Sequence, residues 1–196
     1  MYPMKSNVQS RPGSGHSKRA QGNGEQGGWH DATRRDSSPP HTQPRPATGG
    51  RRIQVRRSGV HGKGVYSLRE IARGETIIEY TGERITWKEA LRRHPHDLND
   101  PDHTFYFHID DRHVIDANVG GNAARWINHA CRPNCESDIV DGRVYIKALR
   151  RVRPGEELFY DYGLAIDERY TPKVKKQFEC RCGSRGCRRT MLAPKR

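Results

Sequence analysis

The stretch that decides the fold is Ala124-Arg125-Trp126-Ile127-Asn128-His129-Ala130-Cys131-Arg132-Pro133-Asn134-Cys135, called here the Asn-His segment. Two later stretches accompany it. The tyrosine segment reads Glu156-Glu157-Leu158-Phe159-Tyr160-Asp161-Tyr162-Gly163, and the cysteine motif reads Cys180-Arg181-Cys182-Gly183-Ser184-Arg185-Gly186-Cys187. Each stretch alone is ambiguous, because a buried histidine or tyrosine is more often a packed core residue than a functional one. The information lies in their combination and in their order along one chain.

In this combination the three stretches resemble the SET-domain protein lysine methyltransferases that carry a zinc-binding post-SET tail. The resemblance extends over about residues 51–192, and its most specific part is the pattern Asn128-His129-x-Cys131-x-Pro133-Asn134. It implies a mainly β fold with short helices, namely the SET-domain (β-clip) arrangement of small sheets with a C-terminal pseudoknot. It also implies a SET domain over residues 51–165, followed by a linker and post-SET zinc-binding tail over residues 166–196, called here the cysteine tail.

Local patterns point to the same fold class without the resemblance. Short alternating or apolar runs predict strands at residues 52–56, 65–68, 75–80, 105–109, 114–116 and 157–160. Asp141-Gly142 lies between two alternating runs at residues 136–140 and 143–148, which predicts a β-hairpin. No strand–helix–strand rhythm is present, so a doubly wound nucleotide-binding fold is excluded as the default.

One helix is convincing, and the pattern leaves room for at most one further short helix. Thr86 is followed three residues later by Glu89, which matches a capping box, so we expect the helix to begin there. It should end by about Arg93, because Pro95 cannot continue a helix.

The first 50 residues differ in composition from the rest. They are rich in Gly, Ser, Pro, Gln and Arg, and Val8 is their only aliphatic β-branched residue. Such a segment cannot bury enough apolar surface to offset the entropy of ordering it, so we predict a disordered basic tail over residues 1–50. No secretory signal and no run of ~18 apolar residues is present, so we expect a soluble protein without membrane contact.

The chain is strongly basic, with a net charge of +13. Its first 50 residues hold seven Lys or Arg and three Asp or Glu, which leaves +9 on the remainder. Both parts therefore attract polyanions, and nucleic acid or a nucleoprotein is the partner class that such charge fits. A solvated surface that only aids solubility is the alternative, because charge alone carries no sequence information.

The cysteines indicate a metal site in a reducing, intracellular compartment. Of the five, none precedes residue 131 and three lie in the cysteine motif, unlike the scattered pairs of a disulfide scaffold. A structural Zn²⁺ takes four protein ligands, so a fourth must come from elsewhere in the chain. The candidates are Cys131, Cys135 and His129. The SET resemblance implies Cys131, which would join Cys180, Cys182 and Cys187. Small buried thiols without a metal are the alternative.

The cofactor site is implied by the resemblance. The family's methyl donor is S-adenosylmethionine, and Gly62-Lys63-Gly64 matches the Gly-x-Gly at which the backbone approaches it closely. Arg125, Asn128 and His129 match the segment that meets the adenosine and methionine parts of the donor. The tail near Leu192 matches the part that covers the adenine. A lone Gly-x-Gly is weak evidence, because it is more often a plain turn.

Three tyrosines are implied to form a channel for the substrate lysine. Tyr162 matches the family's catalytic tyrosine, Tyr80 a channel wall, and Tyr160 the position that limits how many methyl groups fit. The attacking amine must be neutral although free lysine has a pKa of about 10.4, and an apolar aromatic channel favours the neutral form. A tyrosine rather than a phenylalanine at position 160 implies less room, which predicts chiefly monomethylation. Core packing is the alternative for any strand tyrosine, and we prefer it for Tyr66 and Tyr145.

One departure from the family pattern concerns Phe105-Tyr106-Phe107. Many relatives have a tyrosine at the first of these positions, whereas here the tyrosine comes second. Either the alignment slips by one residue, or a hydroxyl on the cofactor side is missing.

Together these features predict an S-adenosylmethionine-dependent protein-lysine N-methyltransferase. The expected substrate is a protein with a basic, lysine-containing tail, such as a histone or another nucleic-acid-packing protein. The expected compartment is the nucleus for a eukaryotic chain, and the cytoplasm or a host cell for a bacterial one.

Two other function classes compete with the methyltransferase. The first is a binding module that keeps the fold and the zinc without catalysis, and the joint presence of Tyr162, Asn128 and His129 argues against it. The second is a small zinc-dependent nucleic-acid protein, and the lack of zinc-finger spacing or a basic recognition helix argues against that class.

Overall fold

The structure is a computed structural model that describes residues 5–6, 50–93 and 105–195. Most elements of these residues are short strands. In chain order they are β1 (Lys5–Ser6), β2 (Ile53–Arg57), β3 (Lys63–Ser67), β4 (Thr76–Tyr80), β5 (Glu83–Thr86), α1 (Trp87–Arg93), β6 (Tyr106–His108), β7 (His113–Asp116), a 3₁₀ helix (Ala123–Trp126), β8 (Asn128–His129), β9 (Cys135–Val140), β10 (Arg143–Ala148), β11 (Phe159–Tyr160), β12 (Leu164–Ala165) and α2 (Pro172–Gln177). The prediction of a mainly β fold with short helices is confirmed.

The strands form several small sheets rather than one large sheet. Two sheets have three strands each, in the orders β4-β10-β9 and β5-β7-β6, and the pairs β2-β3, β8-β11 and β1-β12 stand by themselves. The pairing of β8 with β11 is parallel and sets Phe159 opposite Asn128 and Tyr160 opposite His129. It therefore brings the Asn-His segment beside the tyrosine segment. The pseudoknot requires this contact, but the threading itself stays a prediction.

The turn and cap signals of the sequence agree with the structure. Asp141 and Gly142 have φ values of 51° and 73°, and Val140 pairs with Arg143 across the β9–β10 hairpin. Both φ values are positive, as a two-residue hairpin turn that fits the strand twist requires. The N–H of Glu89 donates to Thr86 Oγ1 at 3.2 Å, so α1 begins with the predicted cap.

Several elements escaped the sequence analysis. Helix α2 begins at Pro172 after Thr171, whose hydroxyl accepts a hydrogen bond from the Val174 N–H at 3.3 Å. Threonine followed by proline is a known helix start, but six residues are too few to show a helical period. The strands β8 and β12 have two residues each, and pairing partners define such strands more than intrinsic preference does.

The apolar core lies where the small sheets meet. Val65, Ile146 and Leu158 are fully buried there, and Tyr80 and Tyr160 belong to the same cluster. The cysteine tail holds a second, smaller cluster. Its buried members are Ile166, Val174, Phe178 and Leu192. The tail therefore has a small core of its own in addition to its thiols.

The predicted domain boundaries stay predictions. Of the disordered tail proposed for residues 1–50, the structure describes only Gly50 and the backbone pairing of β1 with β12. Pro95 also lies outside the described residues. Among the residues that the structure does describe, no helix has the length and apolar character that a membrane crossing needs.

Asn134 holds the Asn-His segment against the tyrosine segment. Its Nδ2 donates to the Glu157 carbonyl oxygen at 2.7 Å and to Glu156 Oε1 at 3.1 Å, and its Oδ1 accepts from the Phe159 N–H at 2.8 Å. The side chain is only 2% exposed. The last residue of the Asn-His-x-Cys-x-Pro-Asn pattern is therefore a structural link between the two segments.

We predict that Asn134→Ala lowers the free energy of unfolding by about 3 kcal/mol, because it leaves buried backbone groups without partners and opens a cavity. Asn118→Ala is the matched control, since its side chain is exposed. Urea unfolding of the zinc-loaded proteins measures both changes. Equal losses in the two variants would contradict the role given to Asn134.

Candidate active site and metal centre

Four cysteine sulfurs come together in the structure. The Sγ atoms of Cys131, Cys180, Cys182 and Cys187 all lie within 4.8 Å of one another. Cys131 Sγ is 3.7 Å from Cys180 Sγ and 3.8 Å from Cys187 Sγ. Sulfurs about 2.3 Å from a tetrahedral zinc are about 3.8 Å apart, so these four residues fit a structural Zn²⁺.

Cys135 lies outside this cluster. It is fully buried, its Sγ is 3.4 Å from Asn134 Oδ1, and burial raises the pKa of its thiol to about 12. Of the three candidates for a fourth ligand, the structure brings Cys131 to the cysteine motif as the resemblance implies.

Backbone and side-chain groups support the sulfurs. The N–H groups of Arg188 and Arg189 point to Cys131 Sγ at 3.4 Å and to Cys187 Sγ at 3.3 Å. Arg189 has a φ of 60°, which is uncommon outside glycine. Burial opposes ionisation of Cys182, but hydrogen bonds from its neighbours, Ser184 among them, outweigh it and lower the pKa to about 6. Burial raises the pKa of the Cys131 and Cys180 thiols, so the surroundings favour the thiolate that metal binding requires at Cys182 but not at these two residues.

The three predicted channel tyrosines belong to one aromatic cluster. The ring centroids of Tyr160 and Tyr162 are 4.8 Å apart, and Phe107 lies 5.0 Å from Tyr80 and 6.2 Å from Tyr160. The Tyr162 hydroxyl donates to the Ile127 carbonyl oxygen at 2.9 Å, which fixes the phenol beside the Asn-His segment. The Tyr80 hydroxyl donates to a backbone carbonyl at 3.2 Å.

Burial keeps these phenols neutral. It raises the pKa of Tyr80, Tyr160 and Tyr162 above the ordinary value of a phenol, and it is the largest cause in each case. None of the three can therefore supply a phenolate base at physiological pH. They can donate or accept hydrogen bonds and present apolar ring faces.

His129 links the aromatic cluster to the thiols. Its Nδ1 accepts a hydrogen bond from the Tyr162 N–H at 3.1 Å, and its Nε2 lies 3.5 Å from Cys131 Sγ. Burial lowers the pKa of the imidazole to about 4, so the ring is neutral. Because Nδ1 accepts, the hydrogen-bond network assigns the ring proton to Nε2, facing Cys131. The side chain is thus committed to Tyr162 and Cys131, and a cofactor contact of His129 would come from its backbone.

The Gly-x-Gly loop meets the Asn-His segment through Asn128. Its Nδ2 donates to the Lys63 carbonyl oxygen at 2.9 Å, and it lies 3.2 Å from Glu157 Oε1. Gly62 has a φ of 47°, and a Cβ at Gly64 would overlap the Glu157 carboxylate. The structure therefore brings the Gly-x-Gly loop and Asn128 together. It also explains why positions 62 and 64 favour glycine.

Trp126 is a residue of this region that the sequence analysis missed. Lys63 Nζ lies 4.5 Å from its ring centroid, and the Arg125 guanidinium carbon lies 4.8 Å from the same centroid. Arg125 also donates to the Ala117 carbonyl oxygen at 2.9 Å. Two cations therefore stack on one indole next to the loop. A tryptophan in a segment with apolar neighbours indicates only core packing from sequence.

The geometry favours one explanation of the Phe105-Tyr106-Phe107 departure. The Tyr106 hydroxyl donates to the Ala90 carbonyl oxygen of α1 at 3.2 Å, whereas Phe105 packs edge-on against Trp126 at 4.9 Å. Tyr106 therefore turns to the helix, and Phe105 occupies the position beside Arg125 and Trp126. A slipped alignment is not supported, and the hydroxyl at this position is missing.

Leu192 lies with the cysteine tail's own core. It is 1% exposed, pairs with Leu164 through a parallel bridge, and lines a cleft of about 450 Å³ together with Tyr170, Arg188 and Thr190. The structure does not by itself bring Leu192 to the Gly-x-Gly loop, so its contact with a cofactor stays a prediction.

Asp161 and Arg188 form an ion pair that sequence reasoning also missed. Arg188 Nη1 and Nη2 donate to the two carboxylate oxygens of Asp161 at 2.7 Å and 2.8 Å. Burial opposes the charge on Asp161, but the hydrogen bonds from Arg188 and from the Gly163 N–H outweigh it and lower the pKa of the carboxyl. Asp161 lies inside the tyrosine segment and Arg188 directly follows the cysteine motif, but nothing in the sequence indicates that they pair.

Comparison with known proteins places these features in a family. The family profile described as "SET domain" matches residues 62–163. Over 141 residues the chain is 41% identical to the histone-lysine N-methyltransferase trithorax of Drosophila melanogaster, covering 70% of this chain and 4% of that protein. It is 40% identical over 141 residues to histone-lysine N-methyltransferase 2B of Homo sapiens, covering 70% and 5%.

A fungal relative and a solved structure agree. The H3 lysine-4 specific histone-lysine N-methyltransferase of Candida albicans is 43% identical over 141 residues, covering 69% of this chain and 13% of that protein. The chain thus spans 4% to 13% of the length of these relatives. A chain of ctPRC2 in an autoinhibited conformation bound to S-adenosylmethionine matches with a TM-score of 0.53 and 31% identity, covering 59% of this chain and 15% of that chain.

We predict that Cys131→Ala abolishes stoichiometric zinc binding, whereas Cys135→Ala retains one zinc per chain, because only Cys131 lies with the three terminal sulfurs. Zinc content after exhaustive dialysis, measured by mass spectrometry of the metal, checks this. Zinc retained by Cys131→Ala and lost by Cys135→Ala would show that the ligand set is wrong.

Proposed function

The chain belongs to the SET-domain family, and from that premise we propose that it is an S-adenosylmethionine-dependent protein-lysine N-methyltransferase. The observation that carries the proposal is the convergence of two buried tyrosines, Tyr80 and Tyr160, and the partly buried Tyr162 beside Asn128 and His129. The relatives' names as histone-lysine N-methyltransferases support the same activity.

The donor site is proposed at the Gly-x-Gly loop and the Asn-His segment. When bound, S-adenosylmethionine supplies a methyl group activated by its sulfonium. The residues present fit its charged end: Lys63 and Arg125 suit a carboxylate, and Glu157 beside Asn128 suits an ammonium group. The set that would hold it is Gly62, Lys63, Gly64, Arg125, Asn128, His129 and Leu192.

Zinc has a structural role in this proposal. Cys131, Cys180, Cys182 and Cys187 would hold it, and a bound zinc ties the cysteine tail to the Asn-His segment. The four sulfurs leave no open position, as is typical of structural rather than catalytic zinc sites.

The tyrosines would act on the substrate lysine without changing their own charge. Their ring faces exclude water, which disfavours the ammonium form of lysine and lowers its pKa. The Tyr162 hydroxyl donates to the Ile127 carbonyl oxygen, so its oxygen lone pairs remain available to orient the amine. Tyr80 and Tyr160 bound the space in which the amine can be held for in-line attack.

Tyr160 is proposed to restrict the product chiefly to monomethyl-lysine. It is buried in the same cluster as Tyr80 and stays neutral, so its hydroxyl takes up room and can hold a water or the amine itself. A phenylalanine would leave that room to a second methyl group.

The proposed substrate is a histone or another nucleic-acid-packing protein, which implies the nucleus in a eukaryote. A bacterial chain acting in the cytoplasm or in a host stays an alternative. Contact with nucleic acid is proposed through basic surface such as the exposed turn carrying Arg150, Arg151 and Arg153, in which Arg150 pairs with Glu156 and Arg151 with Glu70. Arg73 lies on the neighbouring segment across the Ile71–Val152 bridge.

We predict that the purified protein transfers labelled methyl groups from S-adenosylmethionine to histone lysines, and that Tyr162→Phe lowers the rate on the order of 10²-fold. Tyr145→Phe is the control, since Tyr145 lies on β10 away from the tyrosine segment. Mass spectrometry of the labelled histones measures the transfer. If the basic turn binds DNA, nucleosomes should be better substrates than free histones at low salt, and this advantage should disappear at high salt.

A parallel measurement separates an enzyme from a binding module. The thermal midpoint should rise with S-adenosylmethionine in the wild type and in Tyr162→Phe, because a ligand of the native state stabilises it. No transfer and no shift at saturating donor would refute the proposed activity.

We further predict that Tyr160→Phe increases the share of di- and trimethylated product severalfold, because it removes a hydroxyl from the channel. Intact-mass analysis of a histone peptide over time measures the distribution, with Tyr145→Phe again as the control. Rapid trimethylation by the wild type, unchanged in Tyr160→Phe, would contradict the monomethylation proposal.

A further inference from the structure

The Arg188–Asp161 ion pair joins the cysteine tail to the backbone between the two central tyrosines. Asp161 is the residue between Tyr160 and Tyr162, and Arg188 follows the last cysteine of the motif. The two N–H···O contacts of 2.7 Å and 2.8 Å make a bidentate fork, with Arg188 25% and Asp161 35% exposed. A partly buried fork of this kind is stronger and more directional than a surface ion pair.

The position of Asp161 gives the pair leverage over both tyrosines. Along an extended backbone alternate side chains face the same side, and the Tyr160 and Tyr162 rings indeed lie 4.8 Å apart. The Asp161 carboxylate meets Arg188 of the cysteine tail, and its Oδ1 also accepts from the Gly163 N–H at 3.0 Å. The ion pair that holds Asp161 therefore fixes the rotation of the backbone that carries the Tyr160 and Tyr162 rings.

The other end of the pair is anchored at the thiol cluster. The Arg188 N–H points to Cys131 Sγ at 3.4 Å, and its preceding residue is Cys187. Arg188 thus contacts the metal-binding sulfurs through its backbone and the tyrosine segment through its side chain. His129 makes a parallel connection from Cys131 to the Tyr162 N–H, so Tyr162 is held from two directions.

We propose that Arg188 is a positioning residue that couples the folded cysteine tail to the orientation of Tyr160 and Tyr162. The proposal rests on the proposed methyltransferase function and adds to it a residue that acts through the backbone of the tyrosine segment. The ordered cysteine tail places Arg188 for its two hydrogen bonds to Asp161. These bonds fix the backbone of Tyr160 and Tyr162, and the orientation of the two rings sets the shape of the channel. Without the fork the tail can still bind zinc, but the rings are held on one side alone.

The test compares Arg188→Gln, Arg188→Lys and the control Arg181→Gln. Arg181 lies in the cysteine motif, which Arg188 directly follows, but its side chain is 71% exposed and pairs with Glu179. Three quantities are measured on each protein: zinc per chain, hydrogen–deuterium exchange of the peptide covering residues 158–163, and kcat and KM for a histone peptide. Asp161→Asn is added alone and with Arg188→Gln, because asparagine keeps the acceptor for Gly163 while removing the charge.

The expected result has a specific pattern. Arg188→Gln keeps one zinc per chain, exchanges faster at residues 158–163, and loses roughly tenfold or more in kcat with little change in KM, since misplaced groups cost rate rather than binding. Arg188→Lys recovers only part, because lysine cannot form a fork. The double variant with Asp161→Asn is no worse than the worse single variant, as expected when both changes break one interaction.

Two results would overturn the proposal. The first is that Arg188→Gln shows the same hydrogen–deuterium exchange at residues 158–163 and the same kcat as Arg181→Gln. The other is a loss of activity that follows a loss of zinc, which would make Arg188 a part of the metal centre only. The exchange measurement needs no catalysis. An inactive wild type whose exchange difference persists would therefore refute the methyltransferase function and leave the coupling intact.

Discussion

The sulfur of Cys131 is the point at which two distant parts of the chain meet at the thiol cluster. It lies in the Asn-His segment, and the sulfurs that surround it come from a motif that begins 49 residues later. The cysteine tail has its own small apolar cluster, so its local structure does not depend on the metal alone. Metal binding to four thiolates would strengthen its attachment beside the Arg188–Asp161 pair, because it supplies free energy only when both parts are in place. Tyr162, His129 and Arg188 all lie within two contacts of that sulfur.

The chemistry of the site follows from where charge is and is not found. His129 and the three tyrosines are neutral because burial disfavours their charged forms. Asp161, which lies between Tyr160 and Tyr162, is paired with Arg188. The rings of the aromatic cluster therefore make a place where a lysine amine loses the stabilisation of water. Such surroundings suit a reaction in which a neutral amine must attack. They are poorly suited to binding a lysine that stays charged.

Sequence predicted the scaffold better than the contacts within the site. Alternation and the Asp-Gly turn were enough for the β9–β10 hairpin, and the capping box was enough for α1, because these signals are local. Spacing supplied three of the four sulfurs and left the fourth open among Cys131, Cys135 and His129; only the family resemblance chose between them. The contact of His129 with Tyr162, the stacking of Lys63 on Trp126 and the Arg188–Asp161 fork were not predictable, because partners 27 or more residues apart are set by tertiary packing. The methylation state and the substrate depend on a bound lysine, and they remain proposals.

The attachment of the cysteine tail through four sulfur ligands of one zinc is tested most directly by X-ray absorption at the zinc edge of the purified protein. The structure predicts four sulfur neighbours at about 2.3 Å and no nitrogen at about 2.0 Å, since Cys131 rather than His129 completes the set. A spectrum that requires a histidine nitrogen in place of one sulfur would contradict it. In that case His129 could not hold the Tyr162 backbone while Cys131 holds the tail, and the link between metal and tyrosine would have to be drawn differently.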